Sequence, residues 1–324
     1  MQDWLKAAVA KAAADTHHDT PITAPPTVPG RVTIVDGDYL AYYAAGNDDT
    51  EAGRARTNAL EKIDAFRALS GSERVVVHLT ASGSNKGDRF IVATTQPYQG
   101  QRGGRKPKNW LSLREWLETY QGHAFKTKTW YDREADDGMA YHAAVLGPEK
   151  AVIATADKDM RMFPGVHMDW QCYAITHVQP GCFRTHNEIT GKLFGHAWFW
   201  QQVLQGDQAD HIPGLPRYIK PNGMPGLIGE KTAERFLSAC ETDGHALTVV
   251  GELYQGYYDS EWADRLVEQA TLLWMREDRA AALDDWMRVV PTGHHFYPRL
   301  RRAADDLNER VRQQYELVAQ MEKK

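Results

Sequence analysis

Residues 129–160 contain a cluster of acidic residues together with a predicted helix, and this stretch limits the possible folds more than any other. Its first half holds Glu134, Asp136 and Asp137, followed by apolar residues that recur at helical spacing. We therefore expect these three acids in the first turn of a helix, where the helix dipole favours negative charge.

The second half of this stretch places two more acids just after a predicted strand. Gly147-Pro148 ends the helix, and residues 151–154 are typical of a short buried strand. Asp157 and Asp159 follow two positions apart, and on an extended backbone that spacing points both carboxylates to one side. We expect them at the carboxyl end of the strand, where open α/β sheets bind their ligands.

Each of these acids alone could be a helix cap or a loop residue, since Asp is common at both. Five carboxylates at one edge of a sheet repel one another, however. A divalent cation, which prefers hard oxygen ligands, relieves that repulsion. The pattern therefore predicts a Mg²⁺ site.

Three predicted strands define the fold class. The largely apolar residues 31–35 lead into Asp36 just as residues 151–154 lead into Asp157, so Asp36 joins the predicted acidic site. Residues 74–79 form a third buried strand, and helical segments separate the strands. This order predicts an α/β fold with a mainly parallel sheet flanked by helices.

Composition sets wider limits. The 324 residues, 42% hydrophobic and 25% charged, allow one large domain with appendages. The net charge of −5 does not exclude a nucleic-acid substrate, because metal-binding acids lower the total wherever the basic residues lie. Three cysteines without a CxxC pair predict neither disulfides nor zinc and fit a reducing cytosol. No apolar run reaches the ~18 residues of a membrane span, so we expect a cytoplasmic protein.

A glycine-rich basic segment, QGQRGGRKPK at residues 99–108, is too polar to pack a core. Beside an acidic metal site, such a segment suits a single strand of nucleic acid that must be guided to the metal. Tyr98 and Trp110 could then stack on bases. An ordinary solvated loop is the alternative. The candidate contacts are Arg102, Arg105 and Lys106.

Residues 203–239 carry two further motifs. Asp207 and Asp210 share a helical face if the preceding helix continues this far, and can then reach the same metal. Residues 225–233 (PGLIGEKTA) form a glycine hairpin running into a helix, where backbone amides bind anions and Lys231 adds positive charge. The alternative for this hairpin is a simple helix-turn-helix corner.

Five motifs in a fixed order give the chain a family resemblance. They are DGD (36–38), EADD (134–137), TADKD (155–159), GDQADHIPG (206–214) and GLIGEKTA (226–233). This order resembles the structure-specific 5′ nuclease superfamily, which includes flap endonucleases, the 5′ nuclease domain of bacterial DNA polymerase I and bacteriophage 5′-3′ exonucleases. The resemblance spans about residues 31–275 and is strongest to the phage enzymes.

The resemblance implies a PIN-like α/β core, a helical arch over the active site and a helix-three-turn-helix that grips duplex DNA. On this basis we divide the chain into four parts. They are an N-terminal helix with a Pro-rich linker (1–30), the PIN-like core (31–197, with the arch at about 82–120), the helix-three-turn-helix (198–240) and a C-terminal helical region (241–324).

The resemblance also implies roles for individual residues. The expected metal ligands are Asp36, Glu134, Asp136, Asp137, Asp157, Asp159, Asp207 and Asp210. The expected catalytic residues are Asp36, Arg89 and Arg102, and the expected DNA contacts are Arg102, Arg105, Lys106, Gly226, Gly229, Lys231 and Thr232. The implied cofactors are two Mg²⁺ ions, for which Mn²⁺ can substitute, and K⁺ at the hairpin.

The chain departs from the family pattern in three places. Leu79-Thr80-Ala81 lacks the Asp that the family usually carries at that strand end. Gln99 stands where the arch usually has a lysine, and residues 217–224 are inserted into the hairpin motif. The first two departures bear on the level of activity, and the third offers Arg217 and Lys220 as further DNA contacts.

These observations predict a metal-dependent 5′-3′ exonuclease or flap endonuclease for phage replication or recombination. Its expected substrates are 5′ ends, flaps, nicks and RNA/DNA hybrids, and its expected setting is the cytoplasm of a bacterial host, as a monomer alongside replication proteins. One alternative is a branched-DNA binding protein with weakened catalysis. Another is an RNA-specific PIN nuclease, which would not need the duplex-gripping hairpin.

Overall fold

The central element of the protein, described for residues 24–101 and 103–321 in a computed structural model, is a six-stranded sheet. The strand order is β3-β2-β1-β4-β5-β6, and only β6 runs antiparallel to its neighbour. The predicted mainly parallel sheet is thereby confirmed. The strands are β1 (Val28–Asp36), β2 (Ser72–Thr80), β3 (Lys126–Trp130), β4 (Ala151–Thr155), β5 (Gly165–Asp169) and β6 (Ile175–Val178).

Helices connect the first four strands, because a parallel pair cannot be joined by a tight turn. The parallel strands β4 and β5 are instead joined by a loop that contains the 3₁₀ turn Asp159–Met162. Between β1 and β2 lie α1 (Gly37–Ala44) and α2 (Ala52–Ser70). Between β2 and β3 lie the short α3 (Arg89–Val92) and α4 (Trp110–Glu118), and α5 (Ala135–Leu146) connects β3 to β4.

The sheet has a separate apolar core on each face, as alternation along a strand requires. Ile34 belongs to a core with Met139 of α5, whereas its neighbour Val35 belongs to a core with Leu40 of α1 and Phe66 of α2. In register, Asp36 lies beside His78 of β2 and Val35 beside Ala154 of β4. The carboxyl ends of β1, β2 and β4 therefore meet at one edge of the sheet.

The remaining helices extend the core on the α5 face. Two small hairpins accompany them, β7 (Thr185–His186) with β8 (Leu193–Phe194), and β9 (Arg217–Ile219) with β10 (Pro225–Leu227). The helices are α6 (His196–Gln205), α7 (Glu230–Leu237), α8 (Asp243–Tyr258), α9 (Trp262–Leu273) and α10 (Tyr297–Met321). The boundary predicted at 197/198 falls inside α6.

The predicted arch, residues 82–120, contains α3 and α4, and the connection 93–109 is irregular in its described part. This connection contacts two other loops. The Gln99 N–H donates to the carbonyl of Asp210 in one loop (2.8 Å), and the Arg105 guanidinium pairs with Asp48 in the loop after α1 (2.7 Å). We call residues 97–109 the crossing segment. Arg102 lies outside the described residues.

Other expectations concern the ends of the chain and its thiols. The predicted N-terminal helix lies outside the described residues, and β1 begins within the predicted linker, at Val28. None of the described helices is both long and apolar enough to cross a membrane. Cys172, Cys182 and Cys240 are unpaired, in agreement with the expectation of no disulfide framework.

Candidate active site

An open cleft of about 780 Å³ lies at the sheet edge where β1, β2 and β4 end. Seven of the eight predicted metal ligands line it, contributed by four separate parts of the chain. They are Asp36, Glu134, Asp136, Asp157, Asp159, Asp207 and Asp210. The structure thus brings together acids that are up to 174 residues apart, and Asp137 alone among the eight lies elsewhere.

Asp36 is the last residue of β1 and the N-cap of α1. Its carboxylate accepts the Tyr39 N–H (2.9 Å) and the Thr155 hydroxyl at the end of β4 (3.1 Å). The same Thr155 oxygen accepts the Asp157 N–H (2.9 Å), so it ties the two strand ends together. Burial, assisted by the neighbouring Asp38 carboxylate, raises the pKa of Asp36 to about 6.

The loop after β4 positions the next two acids. The Asp157 carboxylate accepts the Asp159 N–H (2.9 Å), which holds the turn. Burial raises the pKa of Asp157 to about 6, and it also raises that of Asp159, where the Asp157 charge adds to the effect. Burial is the largest cause of both shifts, and the neighbouring carboxylates add to it.

Asp207 and Asp210 reach the cleft from a turn, not from a helix. Helix α6 ends at Gln205, and backbone hydrogen bonds between Asp207 and Ile212 (2.8 and 2.7 Å) close the following turn. The predicted helical extension is therefore wrong, although both acids lie in the cleft. Carboxylate oxygens of Asp159, Asp207 and Asp210 lie within 4.8 Å of one another.

Lys158 places its ammonium inside this group of acids. Its Nζ lies 2.5 Å from Asp207 Oδ2 and 3.2 Å from Asp159 Oδ1. Burial acts to lower the pKa of Lys158, but the charges of Asp159 and Asp207 raise it well above its usual value. The lysine is thus an internal counter-ion for two buried carboxylates, a role that its position in the sequence does not reveal.

Glu134 is the N-cap of α5 and faces the crossing segment. Its carboxylate accepts the Tyr98 hydroxyl (2.7 Å) and the Gln99 amide (3.0 Å). Tyr98 was expected to stack on bases, but it is buried and also donates to Asp210 (3.1 Å). The expectation that Tyr98 stacks on bases is therefore wrong for this structure. Its ring lies in the core, and its hydroxyl forms hydrogen bonds to Glu134 and Asp210.

Asp136 and Asp137 point in different directions. Asp136 lines the cleft, where burial and the neighbouring charges of Glu134 and Asp137 raise its pKa well above the usual value. Asp137 is fully buried and binds the Arg89 guanidinium through both oxygens (2.5 and 2.9 Å). It also accepts the Arg276 N–H (2.8 Å). The structure therefore does not bring Asp137 to the predicted metal site.

Arg89 was expected to lie beside the phosphate that is cut, but its ion pair with Asp137 holds it in the interior of the protein. Its side chain is 0% exposed and also donates to the Leu272 and Trp274 carbonyls (both 3.1 Å). Lys86, three residues earlier, lines the cleft instead, with its ammonium 3.6 Å from Glu134 Oε1. Sequence reasoning did not identify Lys86.

Cationic side chains line the cleft as well as acids. They are Lys86, Lys106, Lys158 and Arg161. Lys106 was predicted as a DNA contact, and its ammonium lies 3.6 Å from the Trp110 ring centroid. Arg161 was not predicted, since it lies inside a short 3₁₀ turn whose apolar neighbours form the core.

The strand end that lacks the family's Asp carries Thr80. Its hydroxyl accepts the Ala135 N–H at the start of α5 (2.9 Å). Its N–H donates to Asp38 (2.9 Å), and its carbonyl accepts a hydrogen bond from Arg114 of α4. Arg114 also pairs with Asp38 (3.1 Å). Thr80 and Asp38 thus form one wall of the cleft, where Arg114 balances the charge of Asp38. Asp38 is an acid of the cleft that was not among the predicted metal ligands.

The predicted DNA-gripping hairpin runs into α7, whose N-cap is Gly229. A Cβ at Gly229 would meet nothing within 4 Å, so the backbone there is open to a phosphate, and Lys231 and Thr232 follow in the first turn. Gly226 differs, because a Cβ there would lie 2.4 Å from Tyr218 Cε1. Gly226 is buried, and the hairpin can pack in this way only because a glycine occupies this position.

The donor set of the cleft fits a hard divalent cation. Among the described residues, its lining contains carboxylates but neither histidine nor cysteine, and oxygen-only sites suit Mg²⁺ or Mn²⁺ better than softer metals. Burial raises the pKa values of Asp36, Asp157 and Asp159, and repulsion between these carboxylates adds to the effect; a bound cation would relieve that repulsion.

Comparisons with known proteins agree with this picture. No protein-family model matches the chain. DNA polymerase I of Bacillus caldotenax is 26% identical over 234 residues, which are 69% of this chain and 25% of the polymerase. The chain thus spans about a quarter of that relative. A 5′-3′ exonuclease of Buchnera aphidicola is 26% identical over 215 residues, 62% of this chain and 68% of the exonuclease.

Solved structures show the same fold. The bacteriophage T5 protein co-crystallised with metal ions superposes with a TM-score of 0.53 at 14% identity, covering 86% of this chain and 99% of that one. A T5 flap endonuclease in complex with DNA and metal ions gives 0.52 at 13% identity, with coverages of 87% and 99%. This likeness shows a PIN-like α/β fold, as predicted. The sequence relatives bear the names DNA polymerase I and 5′-3′ exonuclease, the kinds of protein that the order of the five motifs resembles.

Proposed function

We propose that this protein is a divalent-metal-dependent 5′-3′ exonuclease or flap endonuclease. The observation that carries the proposal is the convergence of seven predicted metal ligands, all carboxylates, in one open cleft, with cationic side chains on the same walls. Acids alone would bind metal and repel DNA. The added cations suit a site where metal ions and a phosphodiester meet.

The acids form two groups that could each hold an ion. Asp159, Asp207 and Asp210 have carboxylate oxygens within 4.8 Å of one another. Asp36, Asp136 and Asp157 line the same cleft, where the Asp157 charge acts on Asp136 and the Asp36 charge acts on Asp157. We assign two Mg²⁺ ions to them and expect Mn²⁺ to substitute. When bound, such ions activate the attacking water and stabilise the charge that develops on the phosphate.

The chain's own cations are assigned to the DNA. Lys86 and Arg161 line the cleft beside the acids, so they are placed to contact the phosphate that is cut. Lys106 of the crossing segment and Trp110, which follows that segment, also line the cleft, and we assign the passage of a single strand to them. A cation and an aromatic ring in contact are the features that hold single strands without sequence preference.

The duplex part of the substrate is assigned to the start of α7. The first amides of a helix have no partner within the helix, and there Gly229 leaves the backbone open while Lys231 adds a charge. Such a grip contacts phosphates and reads no sequence. We also assign a K⁺ ion to this turn. The substrates that we propose for the protein are 5′ ends, flaps, nicks and RNA/DNA hybrids, and the proposed partners are replication proteins.

One observation favours a second function, a branched-DNA binding protein with weakened catalysis. The family's Asp at the end of β2 is replaced by Thr80, whose hydroxyl is engaged with the Ala135 N–H. One metal ligand is therefore missing. We favour the enzyme because seven carboxylates remain in the cleft.

Cleavage assays distinguish the two functions. The purified chain is incubated with 5′-labelled blunt, nicked and flapped duplexes and with an RNA/DNA hybrid, with Mg²⁺ and then with chelator. The nuclease predicts short 5′ products that require the metal. Binding of flapped DNA without turnover in Mg²⁺ or Mn²⁺ would favour the second function.

A further inference from the structure

The segment inserted between the two halves of the DNA-gripping motif is an ordered ribbon. In the β9–β10 hairpin, Ile219 pairs with Pro225 and Arg217 with Leu227. A hydrogen bond from the Lys220 N–H to the Met224 carbonyl (2.9 Å) closes its tip. A paired ribbon of this kind presents fixed faces to its surroundings.

The inner face fixes the hairpin on the body of the protein. The Tyr218 ring packs against Phe236 of α7, with 4.9 Å between the ring centroids. Tyr218 also occupies the space over Gly226 that any larger residue would need. Because α7 begins only four residues after Gly226, the hairpin and the start of α7 form one unit.

The outer face is apolar and exposed. Ile219 is 48% exposed and Leu227 is 70% exposed, and Pro225 is exposed beside them. Arg217 is the one charged side chain that the strand register places on this face. Large apolar side chains grouped on an exposed ribbon are typical of an interaction surface.

The charge around this face selects an anionic partner. Residues 211–229 contain Arg217 and Lys220 but no acidic residue, and just after them Glu230 and Lys231 offset each other. This local excess of positive charge stands out in a chain of net charge −5. Gly229, whose open backbone we assign to duplex phosphates, follows the exposed Leu227 by two residues along the chain.

We propose that the outer face of the β9–β10 hairpin enters the minor groove of the duplex and wedges open a base step, bending the DNA. This inference rests on the proposed duplex grip at α7. Ile, Leu and Pro wedges flanked by Arg or Lys are the side chains with which proteins unstack base steps from the minor groove. Each strand of three residues spans about 10 Å, enough to cross a groove that is about 6 Å wide.

The test measures DNA shape separately from affinity. The full chain, with chelator to prevent cleavage, is bound to nicked duplexes that carry 2-aminopurine at successive positions and a fluorophore at each end. The wedge variant is Ile219→Ser with Leu227→Ser. Its matched control is Ile189→Ser with Leu317→Ser, which changes two exposed apolar residues elsewhere.

We expect the wild-type protein and the control to raise 2-aminopurine fluorescence at one step and to shorten the end-to-end distance. The wedge variant should lose both signals, while its affinity falls by less than about threefold, because phosphate contacts dominate affinity. Arg217→Ala with Lys220→Ala should instead weaken binding and reduce the salt slope by up to about two.

Two results would overturn the inference. One is a wild-type complex whose DNA stays stacked and straight, as it would if the hairpin docks on another protein. The other is a wedge variant that deforms DNA as the wild type does. Failure of the proposed function would look different, because the wild-type protein would then neither bind nor cut duplex DNA.

Discussion

The carboxylate of Asp137 and the guanidinium of Arg89 form a fully buried ion pair with two short contacts, 2.5 and 2.9 Å. Asp136, the residue before Asp137, faces the cleft instead. Two adjacent acids of one motif therefore have separate tasks. One anchors α5 to the segment that precedes the crossing segment, and the other is available to a metal ion.

This division predicts opposite effects for two isosteric substitutions. Asp137→Asn should cost about 3–5 kcal/mol of unfolding free energy, because it leaves the buried Arg89 charge without its partner. Asp136→Asn should leave stability unchanged or higher, because it removes a carboxylate that its neighbours repel. Chemical denaturation of both metal-free variants checks this, and equal stabilities would contradict the assignment.

The Asp137 pair also predicts a pH dependence. Although burial raises it, the Arg89 charge holds the pKa of Asp137 below its usual range. A lowered carboxyl pKa contributes stability above the unfolded-state pKa, and that contribution is lost as the pH falls through the folded-state value. The difference in stability between the wild type and Asp137→Asn should therefore shrink below about pH 4. A difference that grows on acidification would contradict the pairing.

Lys158 predicts a competition between an internal and an external cation. Its ammonium contacts Asp207 and Asp159, two of the proposed ligands. Lys158→Met should therefore destabilise the metal-free protein and tighten Mn²⁺ binding by about tenfold, equivalent to ~1.4 kcal/mol. Thermal unfolding in chelator and electron paramagnetic resonance of Mn²⁺ measure the two effects.

The control for this experiment is Lys106→Met, which removes a cleft cation whose ammonium lies over the Trp110 ring. It should change Mn²⁺ affinity much less, because its charge is not in contact with the carboxylates of the metal site. If both variants tightened binding equally, Lys158 would act only through the overall charge of the cleft.

The duplex grip predicts a change in salt dependence. Lys231→Ala should weaken binding to duplexes of every sequence alike and reduce the slope of log affinity against log salt by about one, as for loss of a single phosphate contact. Glu234→Ala, on the next turn of α7, serves as the control. A sequence-dependent loss, or an unchanged slope, would count against the hairpin's role.

The crossing segment predicts a selective loss with flapped DNA. Arg105 pairs with Asp48, and Lys106 lines the cleft. Replacing both by Ala should slow single-turnover cleavage of 5′ flaps and spare affinity for plain duplex, which is held at α7. Equal losses in flap cleavage and duplex affinity would show that the segment is a general electrostatic surface.

Much of the site was predictable because it depends on local rules. Strand ends of a parallel sheet meet at one edge, and this rule alone brought Asp36 and Asp157 together. The split between Asp136 and Asp137 was not predictable. Successive helical residues point ~100° apart, and which one faces the core depends on Arg89 and Arg276, which are distant in sequence.

Three of the four cations of the cleft, Lys86, Lys158 and Arg161, were not predicted, for a similar reason. Lys158 stands between two acids in the sequence, but its position among Asp159 and Asp207 depends on the turn after α6, 49 residues further along the chain. Gly226 shows the reverse error. The missing side chain of this glycine was interpreted as room for a phosphate, whereas Tyr218 of the inserted strand β9 occupies that room.

The central claim is that the cleft cuts DNA with metal held by these carboxylates. Its most direct test is single-turnover cleavage of a 5′-flapped duplex across a Mg²⁺ titration, by the wild type and by the stably folded Asp136→Asn variant. We predict metal-dependent release of 5′ products by the wild type, and a loss of at least about 10³-fold in the variant with DNA binding retained. Cleavage by the variant at the wild-type rate in saturating Mg²⁺, or by the wild type in chelator, would contradict the account.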